Sequence, residues 1–475
     1  MDLEDIVYLV LLFASIVFGL VYREIEDQRT KKLVGTVVGL FVTFMVSGFH
    51  IVHSFITVFI NSLIILHLDK RKCHLISFAF SFLYLLFFRT TEYFGIPYPP
   101  DHTNLIQMML TLKMVGLALE LNNGEDDIKE DTLTIEEIFH YSFNYIGVLT
   151  GPYIRYKTFR DYFEKSSFAK LADWKQITLQ KIKFIPLYAI LFLAASSTWP
   201  LSYAKTDEFY EERSLLYRFW YIWPNFFTFR MRLYIGLVLS ECVCTVAGFG
   251  AYPEFAEPKP AHGPSKELKR LDEMTEKEQK EIGYSFETIH NVNPYGAEFC
   301  PTFRESMKHW NMCIQYWLAV NVYKRFPSKR YRTFVTMFVS AVWHGVYTGY
   351  YVCLCGAPFV LPIEDVYVKL VLKGRTGKTL YWCEWFMVVF KMFFFSYLSI
   401  AFHLLSLDWV MHYYNSIYHI GLIISVLLYV AGIALLKLRK RRTTSPTAAV
   451  RSPNKDADDN ERKTTTMTDN GIKTD

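Results

Sequence analysis

The chain reads as an all-α, polytopic transmembrane helical bundle of about 10 spans, and three observations lead there. Its 475 residues are 52% hydrophobic and 17% aromatic but only 20% charged, a balance that soluble globular domains rarely show. The apolar residues are gathered into runs near the length of about 20 residues that a helix needs to cross a hydrocarbon core of about 30 Å. Those runs lack the alternation of outer-membrane barrel strands, so helix is the one structure that pairs every backbone amide within its own segment.

The runs cover residues 5–22, 33–68, 74–95, 103–121, 182–200, 217–250, 333–372, 382–406 and 414–436, and the longest must hold two helices each. The first follows Asp2, Glu4 and Asp5 rather than a basic region, and no small-residue cleavage site comes after it. It reads as an uncleaved span. Basic clusters (Arg23, Arg29, Lys31 and Lys32; Lys70, Arg71 and Lys72; Lys437 to Arg442) end the first, second and last runs and predict cytosolic loops. Both early loops are cytosolic only if residues 33–68 cross twice as a tight hairpin, which puts the N-terminus on the lumenal side.

Three polar stretches interrupt the runs. An acidic one spans 122–137. A basic one, 155–183, mixes lysine and arginine with Tyr156, Phe159, Tyr162, Phe163 and Trp174, a pattern that suits an interfacial helix. The third, 254–308, begins with a Lys- and Glu-rich segment to 281 containing Pro258, Pro260, Gly263 and Pro264, which predicts a solvated or mobile loop. None is large enough for a second domain. The organisation expected is one membrane domain, 1–442, and a disordered cytosolic tail, 443–475, where large apolar residues almost vanish.

Eight cysteines occur, Cys242, Cys244, Cys353 and Cys355 among them, in apolar segments without metal-site spacing. They read as packing residues. His50 and His53 lie a turn apart, but no HExxH or carboxylate partner accompanies them, so no metal and no cofactor are expected. The net charge of +5 is mild, and the basic residues cluster beside membrane runs, which favours membrane lipid and excludes nucleic acid as the partner.

Titratable side chains inside apolar runs are costly and mark candidate sites. Here they are His50, His53, Lys113, Arg230, Arg232, Glu241, His344, Lys391, His403 and His419. His344 has the richest setting, in SAVWHGVYTGYY between Trp343 and Gly345; small and aromatic neighbours suit a pocket wall. Upstream, Asn311 lies between Trp310 and Met312 in KHWNMCIQYWLA, where an unpaired amide is expensive. Only tertiary folding can bring the two together. Arg230 and Arg232 in FRMR are costly at membrane depth, and a phosphate offsets that cost; snorkelling to the interface is the competing reading.

The Trp-Asn at 310–311 followed by Trp-His-Gly at 343–345 resembles the signature of the membrane-bound O-acyltransferases. The segments SFLYLLFFR (81–89), GPYIRYKTF (151–159), FRMRLY (229–234), AGFGAYP (247–253) and ETIHNVNPYGAEFC (287–300) are similar to its lysophosphatidylinositol acyltransferase branch. The resemblance implies that fold, with a chamber inside the bundle, and implies His344 as catalytic base with Asn311 as its partner. Arg230, Arg232, Trp310 and Trp343 are the substrate-contact candidates. It further implies acyl-CoA as co-substrate, a lysophospholipid, lysophosphatidylinositol in particular, as acceptor, a polyunsaturated chain such as arachidonoyl as the group transferred, and the endoplasmic reticulum membrane as location. Branch members often carry Pro before the Gly-Tyr-Tyr that follows the histidine; this chain has Thr348. Other acceptors (another lysophospholipid, a sterol, a protein) and a non-enzymatic transporter or scaffold stay open, although the paired half-repeats of a transporter are not found.

Overall fold

The computed structural model describes residues 3–124, 133–165, 167–271 and 273–444. The expected tail lies outside them apart from its first two residues, which finish the last helix.

Five helices open the chain: α1 (Leu3–Tyr22), α2 (Gln28–Ser47), α3 (Ile51–His67), α4 (Lys70–Phe88) and α5 (Asp101–Asn122). Side-chain caps start two of them, Asp27 accepting the Thr30 N–H (2.7 Å) and Asp69 the Arg71 N–H (2.8 Å), each satisfying an amide that the helix itself leaves open. α2 and α3 meet at a break where Gly48 takes φ 53°. They scarcely touch beyond it and pack instead on α5 and the next helix. The 40 residues are long enough for two crossings, at about 1.5 Å per residue, but not as a tight hairpin.

A group of short helices follows: α6 (Ile135–Phe143), α7 (Tyr156–Glu164), α8 (Ser167–Leu171), α9 (Trp174–Ile182), α10 (Ile185–Thr198), α11 (Asp207–Glu211) and α12 (Leu215–Trp220). Here the interfacial reading of 155–183 needs correction for its first part. Tyr156, Phe159, Tyr162 and Phe163 are buried in the largest core cluster. Alternating aromatic and basic residues suit an interfacial helix and a buried one with capped charges equally, and the partners that decide are far away in sequence.

α13 (Ile222–Ala247) is a long central helix that ends at Gly248, φ 75°. A side chain at Gly248 would run into Ala169 of α8, so glycine is required for both conformation and clearance. The stretch expected to be a mobile loop is ordered: β1 (Tyr252–Pro253) pairs antiparallel with β2 (Tyr284–Ser285), α14 (Glu276–Glu281) lies between them, and Ala256 and Ala261 are buried. Then come α15 (Pro294–Phe299), α16 (Phe303–Lys308), α17 (Met312–Leu318), α18 (Arg332–His344), α19 (Thr348–Tyr367), α20 (Gly377–Leu404), α21 (Leu407–Ser416) and α22 (Ile420–Thr444). Thr348 fills the first position of α19, a place proline also fills readily, so this departure leaves the helix start intact.

Among the described residues, eight helical stretches are long and apolar enough to cross a membrane; the protein is a multipass, all-α membrane protein. The difference from about 10 spans comes from α2–α3 forming one stretch and from α13, whose Arg230, Arg232 and Glu241 interrupt an otherwise apolar run.

The bundle buries α5 almost completely, from Ile106 to Glu120. Three of its buried carboxylates cap backbone amides of a neighbouring segment. Glu120 accepts the N–H groups of Tyr156 and Lys157 at 3.2 Å each, Glu241 those of Asn291 and Val292 at 2.7 and 2.9 Å, and Glu364 those of Phe303 and Arg304. Open N–H groups at a helix start carry partial positive charge, and hydrocarbon offers no water to satisfy them.

Gly349 sets the approach of α19 to α20. Its N–H donates to the Leu405 carbonyl (2.7 Å), and an added Cβ would collide with the Ala401 carbonyl oxygen. Gly349→Val is expected to destabilise the protein by about 1–3 kcal/mol or more through overpacking, read as a lower melting temperature in detergent. An unchanged melting temperature would contradict this packing.

Candidate active site

Asn311 occupies the turn between α16 and α17 with φ 51° and ψ 48°, a left-handed conformation that asparagine tolerates better than most residues. The open amides at the start of α17 are satisfied from elsewhere: the Asn291 carbonyl accepts the Met312 N–H (2.7 Å) and the Asn291 Oδ1 accepts the Cys313 N–H (3.1 Å). Asn291 is itself held by Glu241. With the helix start supplied, the half-buried Asn311 carboxamide makes no capping bond and is free to meet a ligand.

His344 is the last residue of α18, and its turn is clamped from two sides. Trp343 is buried, its indole N–H donating to the Met108 carbonyl of α5 (3.0 Å). Arg89, at the end of α4 and only 6% exposed, donates to the carbonyls of Val342 (3.1 Å) and Trp343 (2.6 Å) while its Nε holds Asn104 Oδ1 (2.9 Å). The last carbonyls of a helix lack internal partners; a guanidinium fork supplies them. Sequence reasoning did not single out Arg89, although an arginine closing the apolar run 81–89 was a visible signal.

No hydrogen bond joins Asn311 to His344, but one aromatic wall connects their turns. The Trp310 ring lies 6.4 Å from Phe229 of α13, Phe229 lies 5.6 Å from Phe402 of α20, and Phe402 lies 5.1 Å edge-on to the His344 imidazole. His403 shares the wall, 4.6 Å from Phe229, with its Nε2 buried and unpartnered. The imidazole of His344 also touches Tyr350 at 5.8 Å. Two turns from distant parts of the chain, one ending in His344 and one carrying Trp310 and Asn311, therefore meet one largely apolar wall.

The arginines go elsewhere. Arg230 forms a two-pronged pair with Glu298, Nε at 2.7 Å and Nη2 at 3.2 Å, and stacks over Phe226 at 4.2 Å. Arg232 is largely exposed and meets Asp5 of α1 at 2.8 Å. They point to different partners, as two residues adjacent-but-one on a helix must. All eight cysteines are free, and among the described residues no group of three or more His, Cys, Asp or Glu side chains is placed to hold a metal ion.

Comparison with known proteins agrees with this geometry. Residues 100–407 match the model of the MBOAT, membrane-bound O-acyltransferase family, a stretch that contains both turns. A membrane-bound acylglycerophosphatidylinositol O-acyltransferase of Drosophila melanogaster is 45% identical over 468 residues, covering 93% of this chain and 94% of its own. Proteins of the same description from Xenopus laevis and Homo sapiens are 36% and 34% identical, covering 94% and 88% of this chain and 97% and 91% of theirs. A multipass bundle that brings a Trp-Asn turn and a Trp-His-Gly turn to one partly buried aromatic wall, matched over most of its length, belongs to the membrane-bound O-acyltransferase family.

Proposed function

We propose that the chain transfers an acyl group, a polyunsaturated one such as arachidonoyl, from acyl-CoA to the sn-2 hydroxyl of lysophosphatidylinositol. The observation that carries the reading is that the His344 imidazole and the Asn311 carboxamide, neither engaged in a hydrogen bond of the fold, lie on two turns joined by one aromatic wall inside a membrane bundle. The relatives named above, acylglycerophosphatidylinositol acyltransferases by description, supply the acceptor.

The neutral imidazole takes the proton of the acceptor hydroxyl as its oxygen attacks the thioester carbonyl carbon. The carbonyl electrons move onto oxygen, and the Asn311 amide donates a hydrogen bond to that developing oxyanion. Collapse of the tetrahedral species breaks the carbon–sulfur bond. The coenzyme A thiolate leaves and receives the proton back from the imidazolium, so no covalent enzyme intermediate is needed. The apolar wall keeps water from competing for the thioester.

The reading includes residence in the endoplasmic reticulum membrane with a cytosolic C-terminal tail. α4 starts at Lys70, Arg71 and Lys72 and ends at Arg89; with the basic end in the cytosol, the His344 turn held by Arg89 lies toward the lumenal end of the bundle.

The test is incorporation of labelled arachidonate from arachidonoyl-CoA into a panel of lysophospholipids and a sterol by membranes containing the protein. Lysophosphatidylinositol is expected to be the best acceptor, and Asn311→Ala, at equal abundance, to lower kcat by about 10²- to 10³-fold. Preference for another acceptor overturns the substrate, and full activity of the variant overturns the role of Asn311.

A further inference from the structure

A groove of about 270 Å³ opens between α10, α12, α13 and α20, walled by Trp199, Trp220, Trp223 and Phe227, with Arg230 and Ser396 on its lining. Most of its surface is what lipid would wet without any special site. Two groups are out of place there. Ser396 is 1% exposed, and its hydroxyl has no hydrogen-bond partner, an expensive condition in an apolar setting unless a ligand supplies the partner. Arg230 is 8% exposed; Glu298 occupies its Nε and Nη2, leaving Nη1 for another acceptor.

A buried lysine lies next to the groove in sequence. Lys391, fully buried and adjacent in sequence to the lining residue Met392, donates to the Ala297 carbonyl (2.8 Å) and sits 3.3 Å from the Cys300 sulfur. The indoles suit a molecule that is apolar along its length and polar at one end.

Ser396 and His403 are seven residues apart on α20, two turns or about 10 Å. His403 touches Phe229, the ring between Trp310 and Phe402. The groove therefore lies beside the wall that carries His344.

We propose that this groove binds the head of the lysophospholipid acceptor, its phosphodiester on Arg230 Nη1 and the Ser396 hydroxyl and its chain along the tryptophans. This rests on the acyltransferase reading above and deepens it, because a guanidinium N–H beside an unpartnered hydroxyl fits the phosphodiester that a lysophospholipid acceptor carries.

The experiment measures KM for lysophosphatidylinositol and for acyl-CoA with the full-length protein in membranes, for wild type, Arg230→Gln and Ser396→Leu. The leucine fills the groove and removes the hydroxyl without touching the Arg230–Glu298 pair, which guards against loss of fold in the arginine variant. Both variants are expected to raise the lysophospholipid KM about 5-fold or more and to move the acyl-CoA KM less than 2-fold, the split that a general packing defect does not produce. An unchanged lysophospholipid KM in Ser396→Leu, or equal rises in both constants, overturns the groove. The acceptor panel with wild type stands apart: preference for a different lysophospholipid overturns the acceptor reading, while the KM values for whichever lysophospholipid is used still decide the groove.

Discussion

His344→Ala is expected to lower kcat by about 10²- to 10⁴-fold, the usual worth of a general base, with little change in either KM. The imidazole ends α18 and packs edge-on to Phe402 and against Tyr350, but no hydrogen bond of the fold depends on its ring nitrogens. Its removal therefore takes away the proposed proton acceptor and leaves the clamp of Arg89 and Trp343 in place, so the variant is expected to reach wild-type abundance and to melt within a few degrees of it. Single-turnover acyl transfer from bound acyl-CoA is the direct measurement. Wild-type turnover in the variant would remove His344 from the chemistry altogether; loss of turnover accompanied by loss of folded protein would contradict the structural account of the turn.

Arg89→Gln is expected to have the second large effect, and on two observables. The guanidinium is buried and serves three acceptors, two of them the carbonyls just before His344. Glutamine cannot reach all three. Each charge-assisted hydrogen bond lost is worth about 1.5–3 kcal/mol, so a marked fall in melting temperature is expected. The second observable is kcat. Catalysis needs the imidazole in near-attack geometry, and a displacement of about 1 Å costs on the order of 10²-fold. Arg89→Lys keeps the charge but not the fork and is expected to fall between. A glutamine variant that is less stable but turns over at the wild-type rate would make Arg89 purely structural.

The long helices around the site were legible because bilayer thickness imposes a length that composition reveals directly. The Trp-Asn and Trp-His-Gly turns were legible as residues but not as a site, since the contact runs through Phe229 and Phe402, two phenylalanines indistinguishable in sequence from the other apolar residues around them. Arg230 shows the opposite case. Its cost at membrane depth was read correctly, but Glu298, 68 positions away, already meets most of it. The aromatic and basic run at 155–163 was misplaced at the interface for the same reason: Glu120, which caps α7, gives no sign in sequence of what it will cap. Local pattern sets where helices lie, whereas the partners of buried charges are a property of tertiary assembly.

Those long-range partners also put the site on a clock. Asn291, which supports the Asn311 turn, is anchored by Glu241, already made when that turn leaves the ribosome. Glu364, which caps α16, follows Phe303 by 61 residues, and Lys391, which holds the Ala297 carbonyl, follows it by 94. At roughly 5 to 20 residues per second, the first partner arrives on the order of 3 to 12 seconds later and the second on the order of 5 to 19 seconds later. Through that interval the first amides of α16, just before Asn311, stay open, and open amides in lipid are costly. Substitutions at Glu364 or Lys391, far from the acyl-transfer chemistry, are therefore expected to show themselves first as shortened lifetime of the newly made chain rather than as slower turnover of the protein that survives.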